Sequence, residues 1–369
     1  MWILRLKTVL LQPKRIVLYM AERKKIIFVV NPNSGTTNKQ KILNLLETHL
    51  NQEKFDAEIQ TTEYMGHAAE IARSAANLGV DIVCAIGGDG TVNEIARAIA
   101  HSDTALAIIP AGSGNGLARH LHIPVDALGA IKVINECNLS AMDYGLINDH
   151  PFFCTCGMGF DAFISMKFAQ AGKRGPLTYM ENVLKNGLRY NPDTYDIYID
   201  DKEQSEYKAF LISCANASQY GNNAYIAPEA SVRDGLMDVT IIEPFTVLDA
   251  PQIAIQLFNG KIATNSRIKT FRCKKLHVHR SRSGAIHFDG DPAETGTDID
   301  IEIVHNGLKC LSPQTEGMLD MGQNIQNFLA EHFNDMFQRS ESILQDNIRR
   351  TQNIHKKNVE IIKKLAKKP

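Results

Sequence analysis

The first 110 residues repeat one pattern. An apolar run of strand length meets a polar or glycine-bearing break, and apolar residues at helical spacing follow. Ile26 to Val30 run into "NPNSG" (Asn31 to Gly35), after which Ile42, Leu45, Leu46 and Leu50 mark a helix face. Phe55, Ala57 and Ile59 alternate as a strand; beyond Gly66, Ile71, Ala72, Ala75 and Ala76 mark a second helix. The strand at 80–86 opens into "GGDGTVNE" (Gly87 to Glu94), and the strand at 105–109 into "PAGSGNGLAR" (Pro110 to Arg119). Such alternation predicts a doubly wound parallel α/β domain with helices on both faces of the sheet. Strand C-termini then share one edge, so three small, polar, glycine-bearing loops should meet in one crevice.

From Asp143 the pattern changes. Tyr195 to Ile199, Val239 to Ile242, Leu276 to His279 and Ile299 to Val304 read as strands, several with one polar face. The expectation is an α/β nucleotide-binding domain over 24–142, an antiparallel β-sandwich over 143–312 with a helical insertion near 161–190, and a helical tail over 313–369. In the tail, Met321, Ile325, Phe328, Leu329, His332, Phe333 and Met336 keep a 3.6-residue period, and the stretch beyond Arg349 is basic. The first part of the tail is expected to pack on the nucleotide domain. Residues 1–19 are too short an apolar stretch, and too charged, for a span. An interfacial anchor, or a true start at Met20, is left open there.

The formal net charge is −1, so no global field recruits nucleic acid. Seven cysteines at irregular spacing, including Cys154-Thr155-Cys156, indicate packed, reduced thiols and a cytoplasmic setting. No G-x-x-x-x-G-K-[ST] occurs. "GMGFDA" (Gly157 to Ala162) fits a dinucleotide pattern but lies in the antiparallel half, where a tight backbone approach between domains is the better reading.

The loop at 87–94 carries the chemistry. Thr91 and Glu94 form T-x-x-E, which predicts Thr91 as the N-cap of a helix continuing through Val92, Ile95, Ala96 and Ile99. Bare glycines and the first helix amides suit phosphate. Asp89 would repel bare phosphate, so a bridging Mg²⁺ is expected. Asn93, Asn115 and Arg119 are supporting candidates.

"GGDGTVNE", "NPNSG" and "PAGSGNGLAR" together resemble the diacylglycerol kinase catalytic-domain family, which includes sphingosine and ceramide kinases, and most closely its bacterial lipid kinases. "YIAPEASVRDGLMDV" and "FDGDP" extend the resemblance over roughly residues 24 to 312. It implies ATP-dependent phosphorylation of a lipid hydroxyl, on diacylglycerol or a sphingoid base. It places nucleotide contacts on Asn31, Pro32, Asn33, Ser34, Gly35, Thr62, Gly88, Asp89, Gly90, Thr91, Val92, Asn93, Glu94 and Ser113. It places Mg²⁺ ligands on Ser231, Asp234 and Leu236; the residues alone read there as a plain D-G turn. The family's proton-accepting acid falls on Asp291, an Asp where relatives carry Glu, with Asp289 and Asp89 as alternatives. The partners implied are a membrane lipid and, transiently, the inner membrane surface; a homodimer stays open. An NAD kinase-like phosphotransferase and a non-catalytic sensor of the same fold are the competing readings.

Overall fold

The computed structural model describes residues 23–35, 37–171, 190–201, 203–246 and 248–314. The expected tail at 315–369, the first 22 residues and most of the insertion at 172–189 lie outside them. The parallel layer is built from β1 (Lys24–Val30), β2 (Phe55–Thr61), β3 (Ile82–Gly87) and β4 (Ala105–Pro110), in the order β2-β1-β3-β4. β3 and β4 are buried along their whole length, as continuous apolar runs covered on both faces must be. β2 is the edge, and it exposes Asp56 to Ile59. The connecting helices are α1 (Lys39–His49), α2 (His67–Asn77) and α3 (Asp89–Ile99), followed by the short α4 (Gly116–His120) and α5 (Ala127–Glu136). Asn38 caps α1 by accepting from the Lys41 amide, and Asp126 caps α5 by accepting from Gly129. The strand order reverses between β1 and β3, and that is where an open α/β sheet leaves a crevice.

The second half is a sandwich, as the alternating runs predict. One layer is a six-stranded sheet of β7 (Thr155–Gly159), β10 (Leu211–Ala215), β11 (Met237–Ile242), β12 (Ile268–Cys273), β14 (Gly284–Phe288) and β15 (Asp291–Thr295), ordered β12-β11-β10-β7-β14-β15. The facing layer is formed by β8 (Asp193–Ile199), β9 (Glu203–Ala209), β13 (Lys275–Arg280) and β16 (Asp298–Leu311), with β5 (Leu139–Ile147) attached to β16 and β6 (His150–Phe152) to β5. Met158, Ile212 and Val239 meet Ile197, Val278 and Ile299 between the layers in one apolar cluster. Among the described residues two further helices flank this half: α6 (Phe160–Ala171) and α7 (Ala250–Phe258).

The halves share a sheet. β16 pairs antiparallel with β13 near its start and parallel with β4 near its end, Lys309 opposite Ala105. The expected boundary after residue 142 therefore falls inside β5, which runs along β16 across both halves. Gly159, at φ +90, ends β7 so close to β10 that a Cβ would sit 2.7 Å from the Phe210 carbonyl oxygen. The tight approach expected of "GMGFDA" thus lies within the sandwich, not between domains. All seven cysteines are free thiols.

Candidate active site at the domain seam

The three glycine loops converge. A Cβ on Gly35 would overlap the Ala111 carbonyl oxygen, and one on Gly112 would overlap the Gly88 backbone. Asn31 Nδ2 donates to Thr91 Oγ1 (2.9 Å), and the Ala111 amide donates to the Gly87 carbonyl (2.8 Å). Side chains are missing here because backbone from three loops occupies their space.

α3 begins earlier than its T-x-x-E suggests. Gly88 is the N-cap, with no side-chain cap bond, and Asp89 is the first helical residue. Thr91 is instead buried in the first turn beneath Gly87, where a Cβ would lie 2.5 Å from its side chain. Glu94 does not reach back to its own helix start; Oε1 accepts from the Gly66 amide (3.1 Å) and ties the loop carrying Thr62 to α3. The earlier start has a physical cause: Thr91 Oγ1 has Asn31 as a partner, and an extended glycine (ψ −171°) can turn the chain without a side-chain cap. The opening amides of α3 have no intrahelical carbonyl to bond and face the convergence point.

Asp89 accepts from the amides of Asn115 (2.8 Å) and Gly116 (2.6 Å), at the start of α4. Burial pushes its carboxyl up to about 6, against those amides and with help from the nearby Asp289 charge. The next loop is clamped by Asn115, whose Oδ1 accepts from the Gly112 amide (3.0 Å) and whose Nδ2 donates to the Gly112 carbonyl (2.9 Å). Arg119 Nε donates to the Gly114 carbonyl (3.1 Å). Ser113 is exposed at the loop tip, as are Pro32, Asn33 and Gly35 in theirs; Ser34 and Thr62 are buried beneath. Val92 faces the core and offers a ligand only its backbone.

The sandwich contributes the opposite wall. Phe288 and Asp291 pair across β14 and β15, so Asp289 (φ +49) and Gly290 (φ +89) form a two-residue turn with both residues left-handed. Asp289 then reaches into the seam. Its carboxylate accepts from Asn93 Nδ2 (2.8 Å) and from the amides of Phe153 (2.8 Å), Cys154 (2.8 Å) and Thr155 (3.1 Å). Burial raises its pKa even so. Asn93, on α3, thus joins the two halves at the crevice. Asp291 is exposed at the start of β15, one residue beyond the turn.

Ser231, Asp234 and Leu236 sit apart from these loops in sequence, in a turn with Gly235 at φ +71. Asp234 Oδ1 accepts from the Leu236 amide (3.1 Å), and Oδ2 is paired with the Arg272 guanidinium (2.5 Å). Ser231 Oγ accepts from the Arg233 amide (3.3 Å). Among the described residues no group of three His, Cys, Asp or Glu is placed to hold a metal ion. The donor set as arranged does not fit a resident Mg²⁺, because a guanidinium already neutralises its only carboxylate. The turn is fixed instead by Asp143, fully buried, whose Oδ2 accepts from the Gly235 amide (2.7 Å).

Two features went unread in the sequence. Lys39 Nζ donates to the carbonyls of Ser34 (2.5 Å), Thr37 (3.2 Å) and Ala111 (3.5 Å), linking two of the glycine loops. Burial lowers its pKa. A lysine shortly after "NPNSG" was the available signal. Beside the seam, Asp161 Oδ2 accepts from Tyr220 Oη (3.2 Å) and lies 3.0 Å from His287 Nε2, in a buried cluster. These residues are distant in sequence, and no spacing announces them.

Comparison with known proteins agrees with this architecture. The profile of the diacylglycerol kinase catalytic domain matches residues 25–147, and that of a YegS C-terminal NAD kinase beta sandwich-like domain matches 155–310. A diacylglycerol kinase of Bacillus subtilis is 27% identical over 276 residues, covering 73% of this chain and 90% of that protein. One from Staphylococcus saprophyticus is 27% identical over 278 residues, covering 73% and 89%. The crystal structure of a diacylglycerol kinase from Bacillus anthracis superposes with a TM-score of 0.61 at 21% identity, over 79% of this chain and 98% of that one, which shows a shared fold. Three glycine loops at the switch point, a sandwich reaching back through Asp289, and matching profiles over both halves lead to one conclusion: the chain belongs to the diacylglycerol kinase catalytic-domain family of lipid kinases.

Proposed function

We propose that the protein transfers the γ-phosphoryl group of ATP, arriving with Mg²⁺, to a lipid hydroxyl, with diacylglycerol as first candidate and a sphingoid base as second. One observation carries this reading. The backbones of Gly35, Gly88 and Gly112 crowd around the opening of α3, while Asn93 on that helix holds the acidic turn of the other domain. Outward amides beside a helix start bind phosphate oxygens, and an acid across the cleft faces the acceptor. The names of the Bacillus and Staphylococcus relatives support the same acceptor.

In the step, the acceptor oxygen bonds to the γ-phosphorus, the bond to the β-phosphate oxygen breaks and ADP leaves. The hydroxyl proton passes to a carboxylate. Asp289 is poorly suited, since four donors occupy its oxygens. Asp291, on the exposed lip beside it, is the first candidate. A second reading is favoured by a specific observation: Asp89 lies at the loop convergence with its carboxyl pushed to about 6, near the range that suits a general base. No step is assigned to a resident metal at 231–236.

The test supplies labelled ATP with diacylglycerol, sphingoid base, ceramide or NAD in mixed micelles. Label on a lipid is expected. Label on NAD alone overturns the lipid reading, and no transfer to any acceptor indicates a sensor. Asp291→Asn decides the base: a loss of about 10²–10⁴-fold assigns it to Asp291. Retained turnover with an acid limb near pH 6 assigns it to Asp89.

A further inference from the structure

A lipid acceptor raises the question of where the protein meets a bilayer. No helix among the described residues is long and apolar enough to cross one. Helix α7 is unusual for a surface helix. Its sequence, APQIAIQLF, has no charged residue. Its inner side buries Ile253 and Phe258. Its outer side, continued back to the preceding turn, exposes Leu248, Pro251, Gln252 and Ile255, a stripe at i, i+3, i+4 and i+7. Leu248 is 90% exposed and Ile255 42%. A helix lying on a soluble core normally turns charged residues to water on that side. This one turns Ile255 outward, and the turn before it turns out Leu248.

The surrounding charge names the partner. From Ala250 to Ile268 there is no acid, while Lys261 and Arg267 follow the helix. Lys269 extends the basic rim; Arg267 pairs with Asp249 (3.3 Å), which also accepts from Thr246, and Lys269 pairs with Glu243 (3.9 Å), so these three cations outnumber the two acids by one. Aliphatic tips within a cationic rim match an anionic lipid surface, where side chains enter the acyl boundary and Lys and Arg meet headgroups. The inside of the helix points the same way. Ile253 belongs to an apolar cluster that includes Phe160 and Phe210. Phe160 follows β7, and the first residue of β7, Thr155, bonds Asp289.

We propose that the Leu248–Ile255 face of α7 is the surface on which the protein seats itself on an anionic bilayer. The inference rests on the lipid-kinase reading for its purpose, but its test does not depend on turnover. In the full chain, Leu248→Trp in a Trp2→Phe background places a reporter on the face. Its emission should shift to the blue with phosphatidylglycerol vesicles, and be quenched by lipids brominated on the acyl chain, but not with pure phosphatidylcholine. No shift with any vesicle overturns the proposal. So does a shift that appears without lipid as protein concentration rises, which would mean that a second copy covers the face.

Leu248→Asp with Ile255→Asp should lower turnover of diacylglycerol held in vesicles at least fivefold and leave turnover of a dispersed short-chain acceptor within twofold. Equal loss on both acceptors, or on neither, overturns the seating role. Should no acceptor be phosphorylated at all, the reporter result still decides the surface question while the catalytic reading fails separately.

Discussion

Two Asp-Gly turns in this chain look alike on paper and differ in kind. Asp289-Gly290 joins β14 to β15, and its carboxylate is gripped by one side-chain amide from across the seam and by three backbone amides of the segment that enters β7. Asp234-Gly235 lies at the edge of the sandwich, and its carboxylate faces the Arg272 guanidinium, which also bonds Asp238. The first acid is held by four neutral donors, one of which, Asn93 Nδ2, also reaches the Pro151 carbonyl (3.2 Å). The second takes part in a half-exposed ion pair. A dipeptide sets the backbone turn; what its acid does is decided by the groups that fold against it.

The difference should appear first in stability. Asp289→Ala leaves several buried donors unsatisfied and should destabilise the protein by about 3–5 kcal/mol. Urea unfolding measures it, and a cost below about 1 kcal/mol would mean that the seam does not depend on this acid. Asp289→Asn, which keeps one acceptor oxygen, should recover part of the loss.

Asp89→Asn tests the other acid of the seam. Turnover should fall about 10²–10³-fold while the fold persists, and near-normal activity would remove Asp89 from the mechanism. The pH dependence of stability gives a second readout. The folded carboxyl is raised from 3.8 to about 6, so between those values the unfolded chain has already released the proton that the folded chain keeps. Stability should therefore decline as pH climbs from about 4 to about 6, by at most about 3 kcal/mol, and remain lower above that. Asp89→Asn should flatten this decline; an unchanged slope would place its origin elsewhere.

Lys39→Met removes a cation that ties two loops together. KM for ATP should rise about tenfold, or about 1.4 kcal/mol, with kcat little changed; a fall in kcat alone would mean that Lys39 acts in the chemical step. The smallest effect belongs to the other turn. Asp234→Ala should cost about 0.5 kcal/mol, as for other partly exposed ion pairs, and adding Mg²⁺ should hardly move the melting temperature of either protein. Several degrees of Mg²⁺-dependent gain in the parent, absent from the variant, would show that the ion displaces Arg272 and restore the ligand set of Ser231, Asp234 and Leu236.

Much of the fold was legible. Continuous apolar runs predicted β1, β3 and β4 because a parallel strand covered on both faces has no polar side to show. The glycine loops were legible for a related reason: bare positions at strand ends have few uses besides close approach. The helix start was misread because T-x-x-E describes a local contest between side chains and amides. That contest was settled by partners far away in sequence, Asn31 for Thr91 and Gly66 for Glu94. Lys39 and the Asp161, Tyr220 and His287 cluster escaped notice because their meaning lies in contacts spanning up to 126 positions.

What the sequence alone determined is the set of layers, the order of the two halves and the edge at which ligands gather. Hydrophobic period and glycine placement are local quantities, and they suffice for that. Only the tertiary structure decided which acids are occupied: Asp289 by the seam, Asp234 by a guanidinium, Asp89 by the start of α4. It also decided that β16 returns to extend the parallel sheet, and that α7 turns an uncharged stripe outward. A carboxylate's role is fixed by the donors and burial around it, and those come from chain segments that meet only once the protein has folded.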